Sequence, residues 1–113
     1  MQTKIEISGS TVTAYLSGEI DHHSAVGVRE TIDESIVSRK PQRLIIDFKD
    51  VSFMDSSGIG LVMGRYRLLE NTGCKIAVVN LSPHAYRVMQ LAGMEKLAVL
   101  KKKPKEVANN ESA

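Results

Sequence analysis

Two adjacent serines behind an acidic residue form the stretch of this sequence best suited to chemistry. The segment Phe53 to Gly64 reads FMDSSGIGLVMG, so Asp55, Ser56 and Ser57 lie where an apolar strand should give way to a helix. The first turn of a helix presents unpaired backbone N–H groups and a partial positive charge. A serine at this junction can therefore cap the helix, contact an anion or accept a phosphoryl group.

Motifs of nucleotide binding and hydrolysis fit this segment less well. Gly58, Gly60 and Gly64 follow the spacing G-x-G-x-x-x-G, which is one residue longer than a dinucleotide fingerprint, and no P-loop sequence occurs in the chain. A nucleophile elbow centred on Ser56 would place Met54 where the tight turn needs glycine. A small serine-dependent hydrolase is therefore the less favoured alternative.

Metal chemistry is also poorly supported by the spacing of the possible ligands. His22 and His23 are adjacent, so in an extended chain their side chains would point to opposite sides and would not share one ion. Asp47, Asp50 and Asp55 could suggest an aspartyl phosphate acceptor, but the first strands supply no paired acids to hold magnesium. We expect no metal and no catalytic residues.

Composition indicates one soluble domain in a reducing compartment. The chain has 113 residues, of which 42% are hydrophobic and 25% charged, and no apolar run is long enough to span a membrane. Its single cysteine cannot form an internal disulfide, and its N-terminus lacks the apolar block of a signal peptide, so we expect a cytoplasmic protein. A net charge of +2 gives no argument for a nucleic acid or membrane partner.

The apolar periodicity predicts elements in the order β-β-α-β-α-β-α-β. The predicted elements are a hairpin around Gly9, a helix from Ser24 to about Ser38, a strand over 43–48, a helix from 55–57 to about 71–73, a strand over 76–79, a helix between Ser82 and Gly93, and an edge strand over 97–100. Helices that alternate with buried strands indicate an α/β fold with parallel strand pairs.

The second predicted helix divides into two faces when it is projected at about 100° per residue. The face assigned to the core carries Ile59, Val62, Met63, Tyr66 and Leu69. The other face carries Gly60 and Gly64 near Leu61 and Leu68, and we expect it to be a flat, partly apolar, outward-facing strip. Each interior glycine costs a helix about 1 kcal/mol relative to alanine, which is understandable if another backbone approaches closely.

Three segments resemble a known family. Residues 19–23 read EIDHH, residues 53–60 read FMDSSGIG and residues 64–66 read GRY. Together they resemble the sporulation branch of the STAS domain family, the anti-sigma F factor antagonists of endospore-forming bacteria. DSSG is typical of the wider family, whereas EIDHH is typical of this branch. The likeness extends from the first strand to about Leu100.

The resemblance implies a single STAS domain, with a mixed sheet of about four to five strands flanked by helices, and a regulator in place of an enzyme. In the family, the unphosphorylated protein binds an anti-sigma factor, which is a serine kinase holding ATP or ADP, and thereby releases sigma F. The kinase inactivates the antagonist by phosphorylation, and a serine phosphatase restores it. This chain itself would need no cofactor. An antagonist acting in a non-sporulation switch is the alternative.

Site residues and boundaries also follow from the resemblance. The phosphate acceptor aligns with Ser56, with Ser57 as the fallback. The implied partner-binding residues are Asp21, His22, His23, Asp55, Ser57, Gly58, Gly60, Leu61 and Gly64. The domain is expected to span residues 1–103, and residues 104–113 to form a short polar, frayed tail where the family commonly has a terminal helix.

Overall fold

The computed structural model describes residues 1–105 and contains five strands and three α-helices. In chain order they are β1 (Gln2–Ser8), β2 (Thr11–Ile20), α1 (Ser24–Arg39), β3 (Arg43–Met54), α2 (Ser57–Leu69), β4 (Lys75–Leu81), α3 (Pro83–Leu91) and β5 (Val99–Lys102), with a short 3₁₀ turn at Met94–Lys96 before β5. The predicted order of elements is confirmed.

The five strands form one mixed sheet in which spatial order equals chain order, β1-β2-β3-β4-β5. β1 and β2 are the antiparallel hairpin, and the pairs β2–β3, β3–β4 and β4–β5 are parallel. Each parallel pair of strands is joined through one helix. Because each connection is right-handed and each new strand is added on the same side of the preceding one, all three helices lie on one face of the sheet. The predicted α/β class and mixed sheet are confirmed.

The core lies between that face and the helices. Strand residues alternate between buried and accessible, as expected for a sheet covered on one side. The side chains that meet in the single core cluster include Val12, Ala14 and Leu16 of β2, Leu44 and Ile46 of β3, Val78 of β4, Val28 and Ile32 of α1, Val62 of α2 and Met89 of α3.

β3 is longer than the sequence pattern predicts. The apolar run ends at Phe48, but the strand continues to Met54. Pairing with β4 covers only Arg43 to Asp47, whereas pairing with β2 continues to the Ile20–Met54 pair. The polar second half of β3 is a strand because its backbone pairs with β2. This pairing brings the carboxyl ends of β2 and β3 to the same level in the sheet.

The predicted faces of α2 are partly wrong. Leu61 was assigned to the outward strip but is only 3% exposed, because it packs in the core cluster beside α1. Ile59, Met63 and Tyr66 of the predicted core face are only partly buried and lie at the margin of that cluster. Val62 and Leu69 are buried as predicted.

α2 also carries a buried charge that the sequence pattern does not reveal. Arg65 is 4% exposed, and its Nε lies 2.7 Å from Oδ1 of Asp33 on α1. Its Nη1 also donates to the carbonyl oxygen of Leu61. Burial lowers the pKa of the Arg65 guanidinium, and the neighbouring Asp33 carboxylate opposes that shift. The ion pair joins the two helices that follow β2 and β3.

The predicted tail falls almost entirely outside the described residues. Pro104 and Lys105 are exposed and are separated from β5 by Lys103, and residues 106–113 lie beyond the described part of the chain. Within residues 1–105, no helix has both the length and the apolar character that crossing a membrane requires.

Candidate partner-binding site

Two loops at the carboxyl ends of β2 and β3 hold most of the predicted site residues. One loop connects Ile20 to α1, and the other connects Met54 to α2. The backbone N–H of Asp55 donates to the carbonyl oxygen of Ile20 at 3.1 Å, so the two loops are tied together. The carboxyl end of parallel strands is where open α/β sheets usually bind their ligands.

Asp21 caps α1 from the first loop. Its Oδ1 accepts the backbone N–H groups of His23 at 3.0 Å and Ser24 at 2.8 Å, while its own N–H donates to the Ser24 hydroxyl at 2.9 Å. Ser24 is the first residue of α1, as predicted, and its hydroxyl completes a reciprocal capping box with Asp21. The Ser24 backbone N–H, assisted by its hydroxyl, holds the pKa of the Asp21 carboxyl below its ordinary value.

Asp55 caps α2 from the second loop, so the Ser56 side chain is not needed as a cap. Its Oδ1 accepts the backbone N–H of Ser57 at 2.8 Å. Ser56 has helical backbone angles and makes no side-chain cap bond, although its carbonyl oxygen accepts from Ile59 and Gly60. Its side chain is exposed, and its hydroxyl has no hydrogen-bond partner within residues 1–105. The structure thus gives the capping role to Asp55 and leaves the Ser56 hydroxyl accessible at the start of a helix.

A shallow groove of about 500 Å³ runs between the first turns of α1 and α2. It is lined by His22, His23, Ala25, Val26, Arg29, Ser57, Gly60 and Leu61. The structure therefore brings both predicted histidines together with Ser57 and Gly60, and the buried Leu61 contributes only to the floor of the groove.

Three residues of the groove were missed by the sequence analysis, namely Ala25, Val26 and Arg29. Val26 could have been recognised from the sequence, because it is apolar but lies off the helical face that carries Val28 and Ile32. In the structure its side chain is 43% exposed. Arg29 is the only Lys, Arg, Asp or Glu among the lining residues. The groove thus combines a small apolar surface with one cationic side chain.

The predicted glycines have different surroundings. A Cβ on Gly60 or Gly64 would meet no heavy atom within 4 Å, so both positions are open to an approaching molecule. Gly58 is buried, and a Cβ there would lie 2.5 Å from Cγ of Met54. The side chain of Met54 therefore already fills the space beside Gly58, and a part for Gly58 in partner binding stays a prediction.

The possible metal ligands and the histidine of a possible triad have the following positions in residues 1–105. No group of three or more His, Cys, Asp or Glu side chains there is arranged to hold a metal ion. His84, which a triad with Ser56 could use, lines a separate cavity of about 220 Å³ beside Phe53 and Met54.

The chain belongs to the STAS domain family, since the model of the STAS domain matches residues 2–108. A curated relative, the anti-sigma F factor antagonist of Paenibacillus polymyxa, is 35% identical over 97 residues, which cover 86% of this chain and 83% of the relative.

Two solved structures of SpoIIAA resemble the fold over nearly its whole length. The anti-sigma factor antagonist SpoIIAA in its unphosphorylated form is 32% identical to this chain and superimposes with a TM-score of 0.76. The match covers 98% of this chain and 95% of the SpoIIAA chain. The Bacillus cell fate determinant SpoIIAA in the phosphorylated form is 33% identical to this chain and superimposes with a TM-score of 0.72. The match covers 99% of this chain and 100% of the SpoIIAA chain.

Proposed function

We propose that this protein is an anti-sigma factor antagonist controlled by phosphorylation of Ser56. In its unphosphorylated form it binds an anti-sigma factor that is a serine kinase, and this binding releases the sporulation sigma factor, sigma F. Phosphorylation by the kinase inactivates it, and a serine phosphatase restores it. The nucleotide, ATP or ADP, is held by the kinase.

The observation that carries the proposal is the accessible, unbonded hydroxyl of Ser56 at the start of α2. The helix N-terminus favours the charge of about −1.5 to −2 that a phosphate adds at pH 7, while the Asp55 carboxylate opposes it. Because Asp55 already caps α2, modification of Ser56 removes no capping bond. The fold should survive phosphorylation, with the change confined to the surface potential beside the groove.

The relatives support the same reading. The curated relative is named for antagonism of the anti-sigma F factor, and SpoIIAA has been solved in both unphosphorylated and phosphorylated forms. The docking surface proposed here comprises Asp21, His22 and His23 of the first loop, Asp55 of the second, and Ser57, Gly60 and Gly64 of α2. Its openness at the two α2 glycines would allow a partner backbone to approach closely.

Phosphorylation is the first test of this proposal. The protein is incubated with ATP and a purified anti-sigma F kinase that modifies its own antagonist in a parallel reaction, and intact mass and fragment spectra are recorded. We expect one kinase-dependent phosphate on wild type, none on Ser56→Ala, and one on the matched control Ser57→Ala. No modification beside the working control reaction, or a phosphate gained without kinase, would contradict the regulatory assignment. A phosphate that persists in Ser56→Ala but disappears in Ser57→Ala would move the acceptor to Ser57.

Binding is the second test, and it uses the open position at Gly60. The change Gly60→Arg should abolish binding of the kinase in calorimetry while the far-UV circular dichroism stays unchanged, because the new side chain projects from the helix into open space. The matched control is Leu91→Arg, which places the same charge on the exposed end of α3. Retained affinity in Gly60→Arg would place the interface elsewhere.

A further inference from the structure

Two rows of side chains face each other where α1 contacts α2. Each row takes every fourth residue of its helix, which keeps its members on one face. The rows are Ala25, Arg29 and Asp33 on α1 and Ser57, Leu61 and Arg65 on α2. The ion pair of Arg65 with Asp33 places the last residues of the two rows at the same level.

Arg29 therefore lies opposite an apolar side chain and not opposite an acid. Because β2 and β3 are parallel, the helices that follow them run in the same direction. One turn before the ion pair, Arg29 is thus level with Leu61, and both residues line the groove. Asp33 follows Arg29 by four residues, a spacing at which opposite charges can pair, but its carboxylate is already paired with Arg65.

The contact between the two helices thus holds two cations and one acid. The pair Arg65–Asp33 is the only salt bridge within residues 1–105, so Arg29 has no acidic partner there. Burial is the main cause that lowers the pKa of Arg65, Asp33 opposes it, and the positive charge of Arg29 lowers that pKa further. The two guanidinium groups therefore repel each other. Glu30, the next residue, is exposed and points about 100° away around the helix.

The remaining titratable groups around the groove do not neutralise Arg29 either. His22 and His23 line the groove, and neither protonation state of a histidine is negative. Asp21 and Asp55, in the loops before α1 and α2, direct Oδ1 at backbone N–H groups and form no salt bridge in the described part of the chain. Arg29 is therefore a positive charge that the described residues leave uncompensated.

Arg29 is also close to the proposed phosphate acceptor. Ala25 and Ser57 begin the two rows, so Arg29 lies one helical turn, about 5.4 Å along the axis, beyond the level of Ser57. Ser56 directly precedes Ser57, and its side chain is exposed. A kinase whose active site reaches the Ser56 hydroxyl must therefore also lie over the groove that holds Arg29.

We propose that Arg29 forms an ion pair with a carboxylate side chain of the anti-sigma kinase when the kinase docks on the α1–α2 groove. This inference rests on the proposed function, because it names a contact within that complex. The half-exposed Val26 and the buried Leu61 make the surroundings of Arg29 partly apolar. Docking removes water from this surface, so the pair is desolvated and the loss of one partner weakens binding strongly.

Calorimetric titration of the ADP-bound kinase measures the contribution of Arg29. Arg29→Gln should bind about tenfold or more weakly than wild type, and Arg29→Glu should bind more weakly still, because the reversed charge repels the carboxylate. The matched control is Arg39→Glu, which makes the same change of net charge in the exposed last turn of α1. It should bind within about twofold of wild type, since a charge remote from the contact acts weakly.

Salt dependence and stability separate a binding role from a structural one. The affinity of wild type should fall more steeply with added sodium chloride than that of Arg29→Gln, because salt screens the ion pair. The urea midpoint of Arg29→Gln should not fall, since Arg29 has no acidic partner within residues 1–105 and is repelled by Arg65. A midpoint that falls together with the affinity would assign Arg29 a structural role and overturn the proposal.

The γ-phosphate of the kinase's ATP is the other anionic group that would approach Ser56. Titrations in the Ser56→Ala background, with ADP and then with ATP on the kinase, distinguish it from a carboxylate. The loss caused by Arg29→Gln should be the same with both nucleotides. A loss confined to ATP would transfer the contact to the γ-phosphate and overturn the proposal.

The same titrations distinguish failure of this inference from failure of the proposed function. If wild type binds the kinase and both Arg29 variants bind as well as Arg39→Glu, the ion pair is wrong and the antagonist function stands. If wild type itself does not bind a kinase that binds its own antagonist, the proposed function is wrong, and the ion pair with it.

Discussion

Gly58 and Gly60 are two residues apart on α2 and have opposite surroundings. Gly58 is buried against Met54, and Gly60 is exposed with open space beside it. The same substitution should therefore have opposite effects at the two positions. Gly58→Ala forces Met54 to move and should lower the free energy of unfolding by about 1–3 kcal/mol. Gly60→Ala should raise it by up to about 1 kcal/mol, because alanine favours the helix.

Urea denaturation followed by circular dichroism measures both changes. The pair is its own control, because both substitutions add one methyl group to the first two turns of the same helix. Equal effects at the two positions would mean that the packing of Met54 against Gly58 does not determine the difference. A second variant, Met54→Ala/Gly58→Ala, should be less unstable than the sum of the two single changes.

At the scale of residues, the sequence predicted which residue types gather at the site. It did not predict which of their side chains cap a helix and which make no hydrogen bond. Asp21 and Ser24 are both good capping residues, as are Asp55 and Ser56, so the pattern alone could not assign the bonds. The loop conformation decides, because each aspartate lies where its carboxylate meets N–H groups two or three residues ahead. This assignment leaves the serine hydroxyl of the second loop accessible.

At the scale of elements, the Arg65–Asp33 ion pair is the distinctive contact between α1 and α2. Asp33→Asn would leave the Arg65 guanidinium buried without a negative partner. Because the Asp33 side chain is 32% exposed, solvent screening reduces the cost below that of a fully buried pair. We expect the free energy of unfolding to fall by about 1–3 kcal/mol in urea denaturation.

The matched control is Glu34→Gln, which removes an exposed charge from the next position of α1 and should change stability by less than about 0.5 kcal/mol. The double variant Asp33→Asn/Arg65→Met removes the charge of both partners. It should recover part of the loss, because methionine leaves no unpaired charge in the interior. If the double variant is as unstable as the sum of the two single changes, the two residues are not coupled.

The elements themselves were predictable because their signals are local. The helices were predicted from capping residues, from Pro83 and from the terminal glycines. The strands were predicted from apolar runs. The faces of α2 were not predictable in the same way. A helical projection assumes one apolar neighbour, but α2 packs both in the core cluster over the sheet and against α1, so Leu61 and Arg65 are buried as well. The partner of Arg65 lies in a different helix, and no short-range pattern connects the two.

At the scale of the whole molecule, stability should depend on pH at both ends of the range. The folded state lowers the pKa of Asp21, chiefly through the Ser24 backbone N–H, and raises the pKa of Tyr15, chiefly through its hydrogen bond to Glu6. The contribution of Asp21 is present above its ordinary pKa of 3.8 and is lost as the pH falls through the folded value. The contribution of Tyr15 is present below 10.0 and is lost as the pH rises.

Unfolding free energies measured in urea between about pH 2 and pH 11 check these signs. Asp21→Ala should be less stable than wild type at pH 7, with a difference that shrinks below pH 3.8. Tyr15→Phe should differ from wild type at pH 8, with a difference that shrinks above pH 10.0. Burial also raises the pKa of the Cys74 thiol, so Cys74→Ala should be included to separate its alkaline contribution from that of Tyr15. A difference that grows with acid in Asp21→Ala would reverse the assigned sign.

The architecture was predicted more completely than the surface. The alternation of helices with buried strands determines the parallel sheet, because crossovers are right-handed. The second half of β3, with Lys49, Asp50 and Ser52, lacks an apolar run, and its pairing with β2 depends on a strand about thirty residues away. The accessible face of the sheet opposite the helices is likewise a property of the assembled topology, so no single segment of the sequence could predict it.

The spatial order of the strands also has a consequence for synthesis of the protein. Because the strands occupy the sheet in the order in which the ribosome makes them, each new strand joins an existing edge and none has to enter between two others. The β1–β2 hairpin is available first, and β3 extends it as soon as α1 has emerged. The two loops that carry Asp21 and Ser56 therefore lie between elements that are all synthesised before β4 and β5.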